Sequence, residues 1–198
     1  MKILRMVLWA MVVIFGGVAS YAWLTIGNEP KVVDQGTVRI GGPFNLVSHK
    51  GAPITDKDLA GKSHAIFFGF TNCPDICPTT LLETAGWMKE LGSDADKMGF
   101  YFFTVDPEHD TPEVMTEYIN AFDSRIMGVT GDPEEMTKTI KSYRAYAKRV
   151  ELDDGDYTMD HSAFIMLFTA EGDFKGTISY GESNEIAVEK LRRLIKNG

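Results

Sequence analysis

The chain has 198 residues, 44% of them hydrophobic and 24% charged, which is the composition of an ordinary globular protein and excludes a disordered or collagen-like chain. Asp and Glu number 28 against 20 for Lys and Arg, giving a net charge of −8, and this balance argues against a nucleic-acid-binding protein. Two cysteines are too few for a disulfide-rich scaffold or a four-cysteine zinc site.

The chain begins with an apolar segment, residues 6–26, that contains no charged residue, His, Asn or Gln. A helix of this length just spans a hydrocarbon core of roughly 30 Å. Lys2 and Arg5 precede it, and positive charge on this short side predicts a cytoplasmic amino terminus and an exported domain. A cleaved signal peptide is the alternative, since residues 20–22 (Ser-Tyr-Ala) form an acceptable cleavage site. We expect a single-pass anchor over residues 1–26 in a bacterial inner membrane, because no Arg- and Ser-rich transit segment precedes it.

Residues 27–36 are polar and predict a tether, and residues 37–198 predict one periplasmic domain. Its first predicted elements are a hairpin within 37–54, a buried strand at 65–70, a helix at 78–91 and a strand at 99–105. Two helices follow, one opened by Thr111-Pro112 and one opened by Asp132-Pro133, and the apolar face of the second is predicted to reach Ala147. The last predicted elements are strands at 163–168 and 176–180 and a helix at about 184–196. This order predicts an α/β sandwich with a mixed sheet. It is the order of a thioredoxin-like domain with an extra amino-terminal hairpin.

Both cysteines lie within the five residues Cys73 to Cys77, between a buried strand and a helix that begins near Pro78. Sites in α/β sheets gather at the carboxyl ends of strands, and a helix amino terminus favours a thiolate. A purely structural disulfide is disfavoured, because closing so short a loop contributes only about 2 kcal/mol. A redox-active dithiol and a site for one soft metal ion remain.

A soft metal ion needs a third ligand, and the chain has four histidines. We interpret His49 as a solvated turn residue and His64 as an ordinary strand residue, while His109 is a weak candidate in a loop at the same sheet edge as the cysteines. His161 directly precedes the strand at 163–168, and in a thioredoxin-like sheet the loop entering that strand faces the cysteine pair. Two thiolates with an imidazole suit copper or zinc.

Three separated motifs resemble the Sco/SenC family, and the similarity covers most of residues 35–196. The motifs are Thr71-Asn72-Cys73-Pro74-Asp75-Ile76-Cys77-Pro78, then Val105-Asp106-Pro107-Glu108 with Asp110-Thr111-Pro112, and then Asp160-His161-Ser162. The family consists of membrane-tethered, thioredoxin-like copper proteins of the bacterial envelope and the mitochondrial inner membrane. The resemblance implies that Cys73, Cys77 and His161 bind copper, as Cu(I) or Cu(II).

The resemblance also implies a function, because the family helps to build the dinuclear copper site in subunit II of cytochrome c oxidase. In one hypothesis the domain is a metallochaperone that turns over no substrate and delivers copper to that subunit. In the other it is an envelope thiol–disulfide oxidoreductase that keeps the subunit's cysteines reduced, with Cys73 attacking and Cys77 resolving. Other envelope copper chaperones and thioredoxin-like reductases are the further partners expected. Three residues between the cysteines, where such reductases have two, favour the metal, and a peroxiredoxin-like peroxidase is the least favoured reading.

Four residues near the motifs have alternative roles. Asp106 matches an acidic position that the family keeps near its site, where it either orients the ligands or caps the following loop. Asp160 either accepts a hydrogen bond from the His161 ring or caps its loop. Met159 offers a thioether, although a core-filling role is more usual. His109 stands where we expect Arg in the family motif, which puts an anion- or partner-binding role of that loop in doubt.

Overall fold

The structure is a computed structural model that describes residues 40–153 and 155–197, together with residues 5, 6, 9, 11, 15–17 and 20. The chain divides into two units, Met1–Val38 and Arg39–Gly198. The predicted anchor and the predicted tether, 1–26 and 27–36, lie largely outside the described residues. Within the described part of the chain, no helix has both the length and the apolar character needed to cross a bilayer.

The second unit alternates strands and helices. Its strands are β1 (Asn45–Ser48), β2 (Pro53–Thr55), β3 (His64–Gly69), β4 (Gly99–Thr104), β5 (Ile126–Thr130), β6 (Ala147–Glu151), β7 (Tyr157–His161), β8 (Phe164–Phe168) and β9 (Phe174–Ser179). Its helices are α1 (Asp56–Leu59), α2 (Ile76–Leu91), α3 (Pro112–Asn120), α4 (Pro133–Ser142) and α5 (Asn184–Asn197), with a 3₁₀ helix at Gly92–Lys97. The predicted mixed α/β class is confirmed.

One mixed sheet has the strand order β2-β1-β5-β4-β3-β8-β9. The three central strands, β3, β4 and β5, are parallel to one another. The outer strands of the sheet pair antiparallel, with β1 and β2 on the side of β5 and β8 and β9 on the side of β3. All six residues of β3 are buried, because this strand lies between two others and is covered on both faces, which explains its continuous apolar run. The predicted amino-terminal hairpin is β1–β2, and it joins the sheet through β5.

Helix starts follow the capping signals. The Thr111 hydroxyl accepts a hydrogen bond from the Val114 N–H, and the Asp132 carboxylate accepts from the N–H groups of Glu134 and Glu135. Each cap is followed by proline in the first turn, where the missing N–H has no cost.

The end predicted for the fourth helix is wrong. Helix α4 stops at Ser142, and Arg144 has a φ of 55°, a left-handed conformation that does not continue a right-handed helix. Ala147 is therefore the first residue of β6 rather than part of the helix face.

Two parts of the sheet structure were not predicted, namely β5 and the β6–β7 hairpin, which forms a separate two-stranded sheet. Gly128 interrupts the apolar pattern of β5, and a Cβ built there would lie 2.9 Å from Met115 Cε and 3.2 Å from His49 Cβ. Glycine at position 128 is thus explained by the close approach of α3 and of the turn after β1 to the β5 backbone.

The prediction that His49 is solvated is wrong. Its side chain is buried, and its Nδ1 accepts a hydrogen bond from the Gly128 N–H at 3.0 Å. His64 is an ordinary buried strand residue, as interpreted, with its Nδ1 donating to the Lys62 carbonyl and its ring stacked on Phe168.

Candidate metal centre

The two cysteines occupy the junction between β3 and α2. Strand β3 ends at Gly69, and α2 begins at Ile76, two residues earlier than predicted, so that Cys77 lies in its first turn while Cys73 belongs to the preceding loop. The backbone N–H of Cys77 lies 3.5 Å from Cys73 Sγ and donates to it. This N–H belongs to the first turn of the helix, where backbone N–H groups have no partner within the helix, and the Cys73 sulfur accepts its hydrogen bond instead.

The two thiols differ in exposure and in protonation. Both are free, and Cys77 is fully buried whereas Cys73 is partly exposed. Hydrogen bonds from the Cys77 thiol, and also from backbone N–H groups, lower the pKa of Cys73 to about 4. The same hydrogen bond, together with burial, raises the pKa of Cys77. The thiolate is therefore on Cys73 and the remaining proton is on Cys77.

His161 completes the group from a different part of the chain. Its Nε2 lies 3.4 Å from Cys77 Sγ, although 84 residues separate the two. The ligand atoms of Cys73, Cys77 and His161 all lie within 4.8 Å of one another, and among the described residues this is the group of His, Cys, Asp or Glu side chains arranged to hold a metal ion.

The orientation of the imidazole is set by its other nitrogen. Nδ1 lies 3.1 Å from the backbone carbonyl oxygen of Ser162 and donates to it, which leaves the Nε2 lone pair facing the sulfurs. The alternative in which Asp160 accepts from the ring is wrong, because that carboxylate is exposed and the ring contacts Ser162 and Cys77 instead. The rings of Phe67 and Phe70 pack edge-on against the imidazole, with centroids 5.9 and 5.8 Å away.

The local setting of His161 also differs from the prediction. We expected it in the loop that enters the strand at 163–168. It is instead the last residue of β7, paired with Ala147 in the separate hairpin. Its position therefore depends on how that hairpin is attached to the rest of the domain.

A buried carboxylate that the sequence analysis named only as part of a family motif, without a role, holds the cysteine loop. Asp110 is fully buried and accepts hydrogen bonds from the Thr71 N–H (3.0 Å), the Thr71 hydroxyl (2.5 Å) and the Thr104 hydroxyl (2.6 Å). His109 Nδ1 donates to the same carboxylate at 2.9 Å, so His109 is turned towards Asp110 and is not part of the three-ligand group. Asp110 thus joins the loop before Cys73 to the end of β4.

Three other residues considered from the sequence have defined places. Asp106 is buried, and its Oδ2 accepts a hydrogen bond from the Tyr157 hydroxyl at 2.8 Å, which raises the pKa of Tyr157 to about 12. Its side chain therefore binds the hairpin that carries His161 instead of capping its own loop. Met159 packs against the hydrophobic core, in agreement with the core-filling interpretation. Gly69, which had no signal in the sequence, leaves room for the Cys77 sulfur.

The chemistry of the donor set is that of a soft-metal site. Bonds of about 2.0–2.3 Å would place the three ligand atoms of a trigonal site roughly 3.5–4 Å apart. The distance of 3.4 Å between Cys77 Sγ and His161 Nε2 is already close to that spacing, and all three ligand atoms lie within 4.8 Å of one another. Because Cys73 and His161 are partly exposed, two of the three ligands are within reach of another protein.

Comparison with known proteins identifies similar chains. The family model described as SCO1/SenC matches residues 32–196. The mitochondrial protein SCO2 of Saccharomyces cerevisiae is 37% identical over 164 residues, which cover 81% of this chain and 54% of that protein. The SCO2-like protein RP587 of Rickettsia prowazekii is 31% identical over 195 residues, which cover 94% of this chain and 93% of that protein. The chain spans about half the length of the yeast protein.

A solved structure has the same thioredoxin-like arrangement. The structure of Bradyrhizobium japonicum ScoI with copper bound is 48% identical, covers 78% of this chain and 99% of its own, and superposes with a TM-score of 0.74. The fold expected from the sequence is thereby confirmed for the described domain.

Proposed function

The chain belongs to the SCO1/SenC family, and from this premise we propose that it is a copper chaperone that holds one copper ion through Cys73, Cys77 and His161. The observation that carries the proposal is the convergence of two sulfurs and one imidazole nitrogen, from segments 84 residues apart, within 4.8 Å of one another. A relative that is 48% identical has a structure with copper bound. Copper is the cargo of the protein in this proposal.

The donor set suits copper in both oxidation states. Thiolates are soft ligands that favour Cu(I), and an imidazole is a good ligand for copper. Binding requires the loss of the proton that Cys77 shares with Cys73, and the ion replaces that proton between the two sulfurs. With His161 and Cys73 at the surface, a partner's ligands can displace them one at a time while Cys77 still holds the ion.

The recipient in this proposal is subunit II of cytochrome c oxidase, whose dinuclear copper site is built during assembly. Residues 1–26 anchor the protein in a bacterial inner membrane with the amino terminus in the cytoplasm, residues 27–36 form the tether, and residues 37–198 form the periplasmic copper-binding domain. The uncharged run at 6–26 after Lys2 and Arg5 supports this orientation.

A second candidate function is thiol–disulfide exchange with the cysteines of the same subunit. The difference between Cys73 and Cys77 favours this second function, since Cys73 is a partly exposed thiolate and Cys77 is a buried thiol beside it. An accessible attacking thiolate with an adjacent resolving thiol is the arrangement that such exchange requires.

Anaerobic copper titration of the reduced full-length protein tests the chaperone proposal. We expect one equivalent to bind, with sulfur-to-copper charge-transfer bands when Cu(II) is used, and we expect His161→Ala to lower the affinity by orders of magnitude. His64→Gln is the matched control, because His64 lies at the opposite end of β3 from the cysteine loop. Unchanged affinity in His161→Ala would show that His161 is not a ligand.

The exchange function has a separate test, which is turnover. With copper removed by a chelator, the protein would reduce a disulfide in subunit II catalytically in the presence of a thiol donor. A rate equal to that of a dedicated thioredoxin-like reductase would favour this second function over copper delivery.

A further inference from the structure

Among the described strands, those of the hairpin that carries His161 have no ladder pairing with the main sheet. Strands β6 and β7 pair only with each other, from Ala147 opposite His161 to Glu151 opposite Tyr157. A two-stranded hairpin is marginally stable by itself. The place of the imidazole relative to the two sulfurs is therefore set by the two-residue connection from His161 to β8 and by the side-chain contacts of the hairpin, which include the packing of Ala147 and Met159 against the core.

A short polar contact between the hairpin and the rest of the domain is made at the start of β7. The Tyr157 hydroxyl donates to Asp106 Oδ2 at 2.8 Å. Asp106 is itself fixed, since it is buried and its backbone N–H donates to the Thr104 hydroxyl at the end of β4. Tyr157 and His161 are four residues apart on one strand and so lie on the same face.

A second contact strengthens the first. The guanidinium of Arg149, on β6, lies 3.5 Å from the centre of the Tyr157 ring and 3.9 Å from a carboxylate oxygen of Glu108. Asp106 and Glu108 belong to one loop, between β4 and α3, and both contact the hairpin. Asp110 of the same loop holds Thr71, two residues before Cys73. One loop thus contacts both halves of the three-ligand group.

We propose that Asp106 and Tyr157 are positioning residues whose hydrogen bond holds His161 Nε2 at binding distance from the two sulfurs. This inference rests on the proposed function, in which His161 is a copper ligand. Without the hydrogen bond the hairpin keeps its own pairing but loses one of its contacts with the loop after β4, and the imidazole can then move away from the sulfurs. The predicted consequence is a site that binds copper more weakly and with an altered ligand geometry.

The test compares the reduced full-length protein with four single variants and with the double variant that combines Tyr157→Phe and Asp106→Ala. Tyr157→Phe removes only the hydroxyl, and Asp106→Ala removes its acceptor. Asp106→Asn keeps an oxygen at the acceptor position and is the rescue variant. Tyr146→Phe is the matched control, because Tyr146 lies just before β6, is 54% exposed and has a hydroxyl without a hydrogen bond to any residue that the structure describes.

Copper affinity is measured by competition with a chelator, and the charge-transfer spectrum is recorded with one equivalent of Cu(II). We expect Tyr157→Phe and Asp106→Ala each to bind about 10- to 100-fold more weakly and to shift the spectrum. The double variant should be no weaker than either single variant, since both remove one interaction. Asp106→Asn should keep most of the affinity, and Tyr146→Phe should match the wild type.

Hydrogen exchange in the metal-free protein separates this inference from the proposed function. The β6–β7 amides should exchange several-fold faster in Tyr157→Phe than in the wild type or in Tyr146→Phe. If His161→Ala binds copper like the wild type, the proposed function fails, and the exchange rates still decide whether the hydrogen bond holds the hairpin. Wild-type exchange rates in Tyr157→Phe, or a copper spectrum identical to that of the wild type, overturn the inference.

Discussion

Gly69 and Cys77 lie so close that any larger residue at position 69 would displace its neighbours: a Cβ built on Gly69 would be 2.7 Å from Cys77 Sγ and 2.7 Å from Phe102 Cε2. Such distances are shorter than van der Waals contact. The last residue of β3 therefore has no side chain because the sulfur of α2 fills that space. The conformation of the Cys77 side chain depends on this contact.

We expect Gly69→Ala to displace the Cys77 sulfur. The crowding should destabilise the fold by about 1–3 kcal/mol and weaken copper binding by roughly 10-fold or more, as do other changes next to metal ligands. Urea unfolding and copper competition measure the two effects. Gly86→Ala is the control, since a Cβ at this position of α2 meets nothing within 4 Å and alanine is favoured in a helix. Equal copper affinity in the two variants would contradict the proposed role of Gly69.

The two cysteines should differ in their reaction with an alkylating reagent. Because its pKa lies well below the ordinary value of 9.0, Cys73 should react at a rate that stays level across neutral pH, where an ordinary thiol becomes faster with rising pH. Cys77, buried and with a raised pKa, should stay unmodified in the folded, metal-free protein. Mass spectrometry of peptides after brief iodoacetamide treatment gives both rates. Similar labelling of the two residues in the native state, as expected after denaturation, would refute the assignment.

Asp110→Ala should be among the most destabilising single changes near the site. It removes the acceptor for the Thr71 and Thr104 hydrogen bonds and leaves their donors unpaired in a buried place, at a cost of about 3 kcal/mol or more. The loop before Cys73 should then also exchange its amide hydrogens faster.

Asp132→Ala is the comparison for Asp110→Ala, because the Asp132 carboxylate likewise accepts more than one hydrogen bond, here from two backbone N–H groups, but at an exposed helix start. Its loss should cost only about 1 kcal/mol. If urea unfolding gives the same loss of stability for both variants, burial of the Asp110 network does not contribute as we infer.

The stability of the domain should depend on pH through His64. Burial lowers the pKa of His64 below its ordinary value of 6.5, so below that pH the unfolded chain binds a proton that the folded chain does not. Stability is then lost as the pH falls from 6.5 towards the lowered pKa. Glutamine does not titrate, so His64→Gln should lose less stability than the wild type between about pH 7.5 and pH 5.

Urea unfolding of both metal-free proteins at the two pH values measures this difference. His49, whose pKa is also lowered, mainly by burial, is present in both proteins and cancels in the comparison. Parallel losses of stability would exclude a contribution from His64.

The elements that were predicted well are those with strong local patterns. The buried strand was expected at 65–70 and lies at His64–Gly69, and the last helix was expected at 184–196 and lies at Asn184–Asn197. A continuous apolar run or an apolar face at helical spacing is visible within a few residues of sequence.

The elements that were missed lack such a pattern. β7 has the sequence Tyr-Thr-Met-Asp-His and none of its residues is fully buried, so that its strand conformation comes from pairing with β6. β5 is interrupted by Gly128, whose small size serves contacts with Met115 and His49. The left-handed Arg144 that ends α4 early also had no sequence signal. For β7 and β5, contacts with other segments of the chain decide the local structure.

For this protein, the sequence by itself determined the α/β order, the family, and the location of Cys73 and Cys77 between a strand and a helix. The choice of His161 among four histidines came from its place before the strand at 163–168 in the expected fold and was strengthened by the family motif. Only the tertiary structure decided which groups are in contact there. His161 Nε2 lies beside Cys77 Sγ, the Tyr157 hydroxyl donates to Asp106, and the Cys77 sulfur packs against Gly69. The physical reason is that periodicity is a local property of the backbone, whereas contacts between remote segments depend on strand order and packing, which no short stretch of sequence contains.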